Sequence, residues 1–175
     1  MNRSFSNIAV ELQAGNIVKQ PDIDAIVNAA NAQLRIGGGV AGAIHGVGDP
    51  ELEQLTRALA PIKPGEAVIT EAPNLPNRFV IHCLGPVYGR DEPSDKLLEN
   101  CYKNALQLAE EYKLNSIAFP SISTGAFGYP IKDAASLSLN TVKEMAPKLE
   151  SIKTVRFVLF DDQAYRVHKV ALEKI

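Results

Sequence analysis

The chain has 175 residues, a length that predicts one domain with a core large enough to fold without disulfides or structural metals. Eighteen lysines and arginines face 20 aspartates and glutamates, which gives a formal net charge of −2. Without a basic excess the chain lacks the usual electrostatic footprint of a nucleic-acid-binding protein, so long nucleic acid is not an expected partner. An acidic ligand would have to be held by groups other than a cluster of lysines and arginines.

The two cysteines, Cys83 and Cys101, form no CxxC pair and have no metal-ligand spacing with the three histidines. We therefore expect reduced thiols, no metal site and no cofactor. The N-terminus lacks the apolar segment of a secretory signal, and no stretch approaches the roughly 20 apolar residues that span a bilayer. These features predict a cytoplasmic protein with no membrane partner.

Short runs rich in Val, Ile and Phe alternate with helical patterns, which predicts an α/β domain around a largely parallel sheet. The segment Asp24–Asn28 is almost continuously apolar and predicts a central strand that is covered on both faces. Further strands are predicted near Asn7–Gln13 and at Glu66–Thr70, Phe79–Leu84, Ser116–Phe119 and Thr154–Phe160.

Helical patterns fill the segments between these strands. Residue types that cap or start helices stand before them. The predicted helix starts are Val40, Ser94 as an N-cap, Pro130 in a first turn, and Asp161 or Asp162 as the cap of the last helix.

Six of the 12 glycines lie between positions 37 and 48, immediately after the predicted strand Asp24–Asn28 and its extension. Gly37–Gly39 therefore occupy a strand-to-helix turn at the carboxyl end of a strand, the edge where open α/β sheets bind ligands. Glycines there let a ligand approach main-chain N–H groups, and a helix N-terminus adds unpaired donors and a partial positive charge. Such a turn would hold an anion without any lysine or arginine.

Taken alone, the Gly37–Gly39 run is more typical of a flexible loop, because short glycine motifs often match by chance. A second loop, Ser121–Pro130, favours the ligand-binding interpretation, since it also follows a predicted buried strand and precedes a predicted helix. Two such loops on one sheet edge would cradle a diphosphate. The chain has no GxxxxGK[ST], which disfavours kinases and GTPases, and an ordinary dehydrogenase is also a poor interpretation.

Three segments together resemble the macro domain: VNAAN at 27–31, GGGVAGAI at 37–44 and STGAFG at 123–128. The resemblance covers nearly the whole chain and implies a single macro domain over residues 1–175. The implied fold is a three-layer α/β/α sandwich around a mixed, largely parallel central sheet. The implied partner is ADP-ribose or an ADP-ribosylated substrate, and several members of the family hydrolyse ADP-ribose derivatives.

The resemblance also implies the roles of individual residues. Asn31, Gly39 and Phe127 would position the reacting end of the ligand, with Asn31 hydrogen-bonded to the distal ribose. The whole implied ligand-binding set is Asn16, Ile17, Asn31, Gly37, Gly38, Gly39, Val40, Ser123, Thr124, Gly125, Ala126, Phe127 and Phe160.

Phe160 has two interpretations of equal weight. The family usually places an aromatic residue against the adenine at this position, and a purine buries well on a ring. The alternative is an ordinary core aromatic, because alternate residues of a strand face inward.

Two positions depart from the family pattern. Asn16 replaces the usual aspartate that accepts a hydrogen bond from the adenine amino group, which would soften adenine selectivity. Ala41 replaces the aspartate of the branch that deacylates O-acetyl-ADP-ribose, so that general base is absent. His45 as a substitute base is less favoured than a packing or capping role, because it lies a helical turn beyond the loop.

We therefore expect an ADP-ribose-binding domain that hydrolyses an ADP-ribosyl linkage on a protein, on O-acetyl-ADP-ribose or on ADP-ribose-1''-phosphate. A positioned water, assisted by the phosphate of the substrate, would take the place of a protein base. The alternative, motivated by Ala41, is a reader module with little or no turnover. Binding of single-stranded RNA is a weaker third hypothesis, which the net charge opposes.

Overall fold

The structure, a computed structural model, describes residues 1–175 and contains one seven-stranded sheet. The strands are β1 (Asn2–Phe5), β2 (Ile8–Ala14), β3 (Ala25–Ala29), β4 (Ala67–Glu71), β5 (Phe79–Cys83), β6 (Ser116–Phe119) and β7 (Thr154–Leu159). The helices are α1 (Gly39–Gly48), α2 (Glu51–Arg57), α3 (Ser94–Glu111), α4 (Ile131–Met145) and α5 (Asp162–Glu173), with a 3-10 turn at Ala146–Lys148.

The strand order across the sheet is β1-β2-β7-β6-β3-β5-β4. The five middle strands are parallel, and the two edge strands β1 and β4 run antiparallel to their neighbours. The predicted mixed, largely parallel sheet is confirmed. None of the helices is long and apolar enough to cross a membrane.

Helices cover both faces of the sheet. One face packs against α3, α4 and α5 through a core cluster of 31 buried residues, and the other face packs against α1 and α2 through a cluster of nine. Alternate residues of β3 divide between the two: Val27 belongs to the first cluster and Ile26 to the second, and both are fully buried. This two-sided burial is what the apolar run at 24–28 predicts, and it gives the three-layer α/β/α architecture.

Two elements are absent from the sequence-based prediction. β1 is a half-exposed edge strand that pairs antiparallel with β2, and three of its four residues are polar, so it carries no continuous apolar pattern. α2 follows α1 almost directly and has only seven residues. The sequence does contain a signal for α2, which is the capping residue type Asp49 before Pro50 and Glu51. In the structure the Asp49 carboxylate accepts a hydrogen bond from the N–H of Glu53 at 3.1 Å.

Helix starts differ from the predictions by single residues. Ser94 is not the N-cap of α3: the helix begins at Ser94, Pro93 occupies the N-cap position, and the Ser94 hydroxyl donates to the carbonyl of Asp91 instead. Pro130 likewise precedes α4 rather than lying in its first turn. At the last helix Asp161 is the cap, because its carboxylate accepts from the N–H of Ala164 at 2.8 Å. Both cysteines are buried free thiols.

Helix α1 packs directly on the loop that precedes it. A Cβ placed on Gly42 would lie 2.5 Å from the carbonyl oxygen of Gly37, whereas a Cβ on Gly46 would have no neighbour within 4 Å. Close approach of the helix to the loop therefore requires glycine at position 42 and does not require it at position 46.

Gly42→Ala is expected to lower the free energy of unfolding by about 1–3 kcal/mol, because the added methyl group forces backbone apart. Gly46→Ala, in the same helix, is the matched control and is expected to raise the free energy of unfolding by up to about 1 kcal/mol through helix propensity. Urea unfolding of both variants measures the difference. Equal stability of the two variants would contradict the contact between helix and loop.

Candidate functional site

The carboxyl ends of the five parallel strands gather their loops at one edge of the sheet. Following the strand order, these are the loop after β2 with Asn16, the end of β7 with Phe160, the Ser121–Pro130 loop after β6, the Asn31–Gly38 loop after β3, and the Leu84–Pro93 loop after β5. Segments far apart in sequence thus form one continuous surface, and it is the edge at which open α/β sheets bind ligands.

The loop after β3, here called the first loop, exposes its backbone. Gly37, Gly38 and Gly39 are all exposed, and Gly39 has a φ of +55°, a conformation that favours glycine. Gly38 is the N-cap of α1 and provides no side-chain acceptor, so the first N–H groups of the helix are not capped by a side chain. The Val40 side chain is half-buried against the smaller core cluster. The first loop therefore presents main-chain donors with the positive end of a helix dipole.

Asn31 holds the first loop in shape. Its Nδ2 donates to the carbonyl of Arg35 at 2.7 Å, and its Oδ1 accepts from the N–H of Arg35 at 3.1 Å. A carboxamide has two donor hydrogens and two acceptor lone pairs, so one of each remains for another group. Asn31 can therefore fix the loop and contact a ligand at the same time.

The loop after β6, here called the second loop, has a strained turn at Ser123, whose φ is +67°. The Ser123 hydroxyl is buried without a hydrogen-bond partner and lies against Gly85, where any Cβ would collide with it. Gly125 and Ala126 are exposed, while the Thr124 hydroxyl donates back to the carbonyl of Ser121 at 3.1 Å. The second loop thus also offers main-chain groups, not hydroxyls, to its exterior.

Asn16, Ile17 and Phe160 lie near the β2 end of the edge. Phe160 is 89% exposed, so the core interpretation of this residue is wrong. The ring follows β7 directly, and its neighbour Leu159 accepts a hydrogen bond from the N–H of Gly15 at 2.9 Å, which brings the two segments together.

Within that segment the two predicted residues differ in what they expose. Asn16 Oδ1 accepts from the N–H of Val18 at 3.1 Å and retains one lone pair for a further donor. The Ile17 side chain is buried in the core, which leaves only its backbone available to a ligand.

At the β3 and β5 end of the edge a cavity of about 310 Å³ opens beside Asn31 and Phe127. Its walls are apolar side chains, among them Ile62 and Leu84, and its rim carries Lys63 and Arg90. The loop after β5 contacts the second loop directly, since the N–H of Tyr88 donates to the carbonyl of Phe127 at 2.9 Å. Sequence reasoning missed this wall. The signal available was the LGP turn after the Phe79–Leu84 strand, which topology places at the same edge.

His45 and His82 lie beneath the loops and are fully buried. His45 Nδ1 donates to the Asp49 carboxylate at 2.8 Å, which agrees with a packing role and not with a base in solvent contact. His82 Nδ1 accepts from Asn28 Nδ2 at 3.1 Å, and its Nε2 lies 3.0 Å from the Thr70 hydroxyl. Burial, aided by the nearby His45, lowers the pKa of His82 to about 3, so its ring stays neutral.

Ala41 is buried in the first turns of α1, with its methyl group 3.8 Å from where a Cβ on Gly37 would lie. It supplies no proton acceptor. Neither loop has a charged side chain at its exposed tip, which is residues 37–39 in the first loop and residues 125–126 in the second. The electrostatic potential at these two tips therefore comes from backbone groups.

Residues 27–138 match the family model described as Macro domain. The chain is 47% identical over 171 residues to the macro domain-containing protein TTE0995 of Caldanaerobacter subterraneus subsp. tengcongensis, covering 95% of this chain and 97% of that protein. It is 42% identical over 153 residues to a Klebsiella pneumoniae protein named O-acetyl-ADP-ribose deacetylase, with 85% and 87% covered.

Comparison with solved structures also finds macrodomains. A variant of the Oceanobacillus iheyensis macrodomain, solved with ADPR, superimposes with a TM-score of 0.95 at 37% identity, covering 99% of this chain and 97% of that one. Because the family model spans more than half of the residues and relatives exceed 40% identity over most of the chain, the assignment does not depend on the fold alone. The resemblance carried by the VNAAN, GGGVAGAI and STGAFG segments is confirmed, and this chain belongs to the macro domain family.

Proposed function

We propose that this protein binds ADP-ribose along the carboxyl edge of its sheet and hydrolyses an ADP-ribosyl linkage there. The observation that carries the proposal is the order of features along that edge. An exposed aromatic ring at Phe160 comes first, two loops with exposed backbone follow, and Asn31 and Phe127 beside a cavity come last. A purine, a diphosphate and a terminal sugar stand in the same order in ADP-ribose.

At the adenosine end the Phe160 ring would stack on the adenine, which covers an aromatic face that the protein leaves in solvent. The remaining lone pair of Asn16 Oδ1 would accept from the adenine amino group, and the backbone of Ile17 would contribute beside it. The neutral amide lacks the charge assistance of a carboxylate, so this contact is weaker than an aspartate would make.

The diphosphate would lie between the first and second loops. Main-chain N–H groups of Gly38, Gly39 and Val40 at the start of α1 would face it from one side, and those of Thr124–Phe127 from the other. This arrangement would hold an anion without a cationic cluster, which fits a protein whose net charge is −2.

At the reacting end Asn31 and Phe127 would hold the distal ribose against Gly39. Hydrolysis adds water at the reacting carbon and releases the linked group, while a phosphate oxygen of the substrate takes the water proton. Ala41 leaves no carboxylate at the α1 position for that proton, so positioning must supply most of the rate. The Klebsiella relative named O-acetyl-ADP-ribose deacetylase supports hydrolysis as the reaction class.

A second candidate function is a reader module that binds ADP-ribose without turnover. The buried Ala41 favours it, because this position cannot contribute a general base. Both functions share the same binding surface and differ only in release of the linked group.

Phe160→Ala is expected to weaken ADP-ribose binding about tenfold or more, since stacking of a base on an aromatic ring contributes about 1–3 kcal/mol. Tyr112→Ala is the matched control: it also removes an exposed aromatic ring, but at the far end of α3 against Phe79. Isothermal titration calorimetry of ADP-ribose into both variants measures the effect. Absence of heat with the folded wild-type protein at millimolar ligand would overturn both candidate functions.

Asn31→Ala is expected to lower turnover about 100-fold, because a displaced sugar loses its alignment with the water. ADP-ribose affinity is expected to fall only about tenfold, through the lost contact with the ribose and the two lost hydrogen bonds to Arg35 in the exposed first loop. Asn140→Ala, an exposed asparagine on α4, serves as control. Release of ADP-ribose from a mono-ADP-ribosylated acidic protein gives the turnover. Equal losses in turnover and affinity would show that Asn31 only binds the ligand. If the wild-type protein releases ADP-ribose from protein, acetyl and phosphate linkages no faster than buffer does, only the reader function remains.

A further inference from the structure

The cavity of about 310 Å³ lies one strand beyond the proposed distal ribose position. Asn31 and Phe127 form its boundary with that position, and the loops around β5 and before β4 form the rest. A group attached to the distal ribose and directed away from the diphosphate would therefore enter this cavity. In the proposed position, ADP-ribose itself ends at Asn31 and Phe127 and leaves the cavity free.

The volume decides what kind of group fits. A water molecule occupies about 30 Å³ in the liquid, so the cavity is about ten times that size and exceeds what an acetyl group fills. The value is at the lower end of the range for small-molecule pockets, which is roughly 300–1,000 Å³. The space is suited to an acyl chain several carbons long.

The wall of the cavity is apolar and fixed. Ile62 and Leu84 are each only 6% exposed and belong to a separate buried cluster with Leu34, and Phe127 packs against the same cluster. Val87 adds a half-buried side chain, held in place because its N–H donates to the Asp91 carboxylate at 2.8 Å. Methylene groups of a ligand would gain free energy by leaving water for this wall.

The rim of the cavity has two cations and one anion. Lys63 is exposed and its ammonium group takes part in no ion pair, and Arg90 is loosely paired, with 3.8 Å between its Nε and the nearer Asp91 oxygen. Asp91 is partly neutralised by Arg90 and by the Val87 N–H that its other oxygen accepts. The rim therefore keeps one cationic side chain, Lys63, that forms no ion pair, although the Glu66 carboxylate accepts from its backbone N–H at 2.6 Å. The second cation, Arg90, is held only by its long contact with Asp91.

Resting on the proposed function, we propose that this cavity binds the acyl group of an O-acyl-ADP-ribose, and that Lys63 and Arg90 select acyl chains ending in a carboxylate over acetyl. The apolar wall takes the methylene groups and the two cations take the terminal carboxylate. Hydrolysis of such an ester breaks the bond between the acyl carbon and the ribose oxygen. Water supplies the oxygen of the released dicarboxylic acid and the hydrogen of the restored ribose hydroxyl.

Three ADP-ribose analogues test this assignment, each with the acyl group joined to the distal ribose through an amide so that it is not hydrolysed. They carry acetyl, butyryl and succinyl groups, the last two matched in length and differing in terminal charge. For the wild-type protein we expect butyryl to bind about tenfold more tightly than acetyl through two buried methylene groups. We expect succinyl to bind about tenfold more tightly than butyryl through the two cations at the rim.

The variant Lys63→Ala combined with Arg90→Ala separates charge from length. In this variant the succinyl and butyryl analogues should bind with equal affinity, and the butyryl analogue should still bind more tightly than the acetyl analogue. The affinity for free ADP-ribose should change by no more than about twofold. Lys169→Ala combined with Arg166→Ala is the matched control, since both side chains are exposed on α5. Added salt should reduce the preference for succinyl over butyryl and leave that for butyryl over acetyl.

Free ADP-ribose distinguishes failure of this assignment from failure of the proposed function. Normal binding of ADP-ribose with equal affinity for all three analogues would overturn the cavity assignment alone. A preference for succinyl that survives in the Lys63→Ala and Arg90→Ala protein would overturn the role of these two cations. Loss of ADP-ribose binding itself by the wild-type protein would overturn both.

Discussion

Hydrogen bonding between five parallel strands fixes the order of the loops that form the candidate site. β2, β7, β6, β3 and β5 run in the same direction, so their carboxyl ends lie at one edge and their loops are ordered by the strand order. A shift of one residue in the register of β3 would exchange Ile26 and Val27 between the two cores, and the different volumes of these side chains would disturb the packing of both. The positions of Asn31 and of the first loop follow from that constraint.

The two loops of the candidate site expose main-chain groups, and the proposed binding of a diphosphate depends on them. Gly37–Gly39 expose main-chain groups at the start of α1, and the second loop turns at Ser123 with a positive φ while its hydroxyl points inward. The close approach of Gly42 to the Gly37 carbonyl holds the first loop against the helix. In the proposed function, the shape of the loops and the orientation of their N–H groups take the place of a cluster of lysines and arginines.

The layer beneath the loops is polar but uncharged around His82. Asn28 donates to its ring on one side, and on the other the Thr70 hydroxyl accepts from Nε2 and donates to the carbonyl of Glu71 at 2.8 Å. A neutral ring with both nitrogens bonded avoids the cost of a buried charge and ties β3, β4 and β5 together.

The sequence by itself determined six of the seven strands, the two glycine-containing loops and the family, because each strand, loop and family segment consists of residues close together in the chain. The apolar run at 24–28 already contains the two-sided burial of β3, whereas the polar edge strand β1 and the short helix α2 have no such local pattern. Only the tertiary structure decided that Phe160 is exposed, since the direction of a residue at a strand end depends on where the sheet stops. The cavity also exists only in the tertiary structure. Its walls come from segments around positions 31, 62, 87 and 127, and nothing in the sequence brings these segments together. Packing between distant elements, and not local propensity, determines where empty space remains.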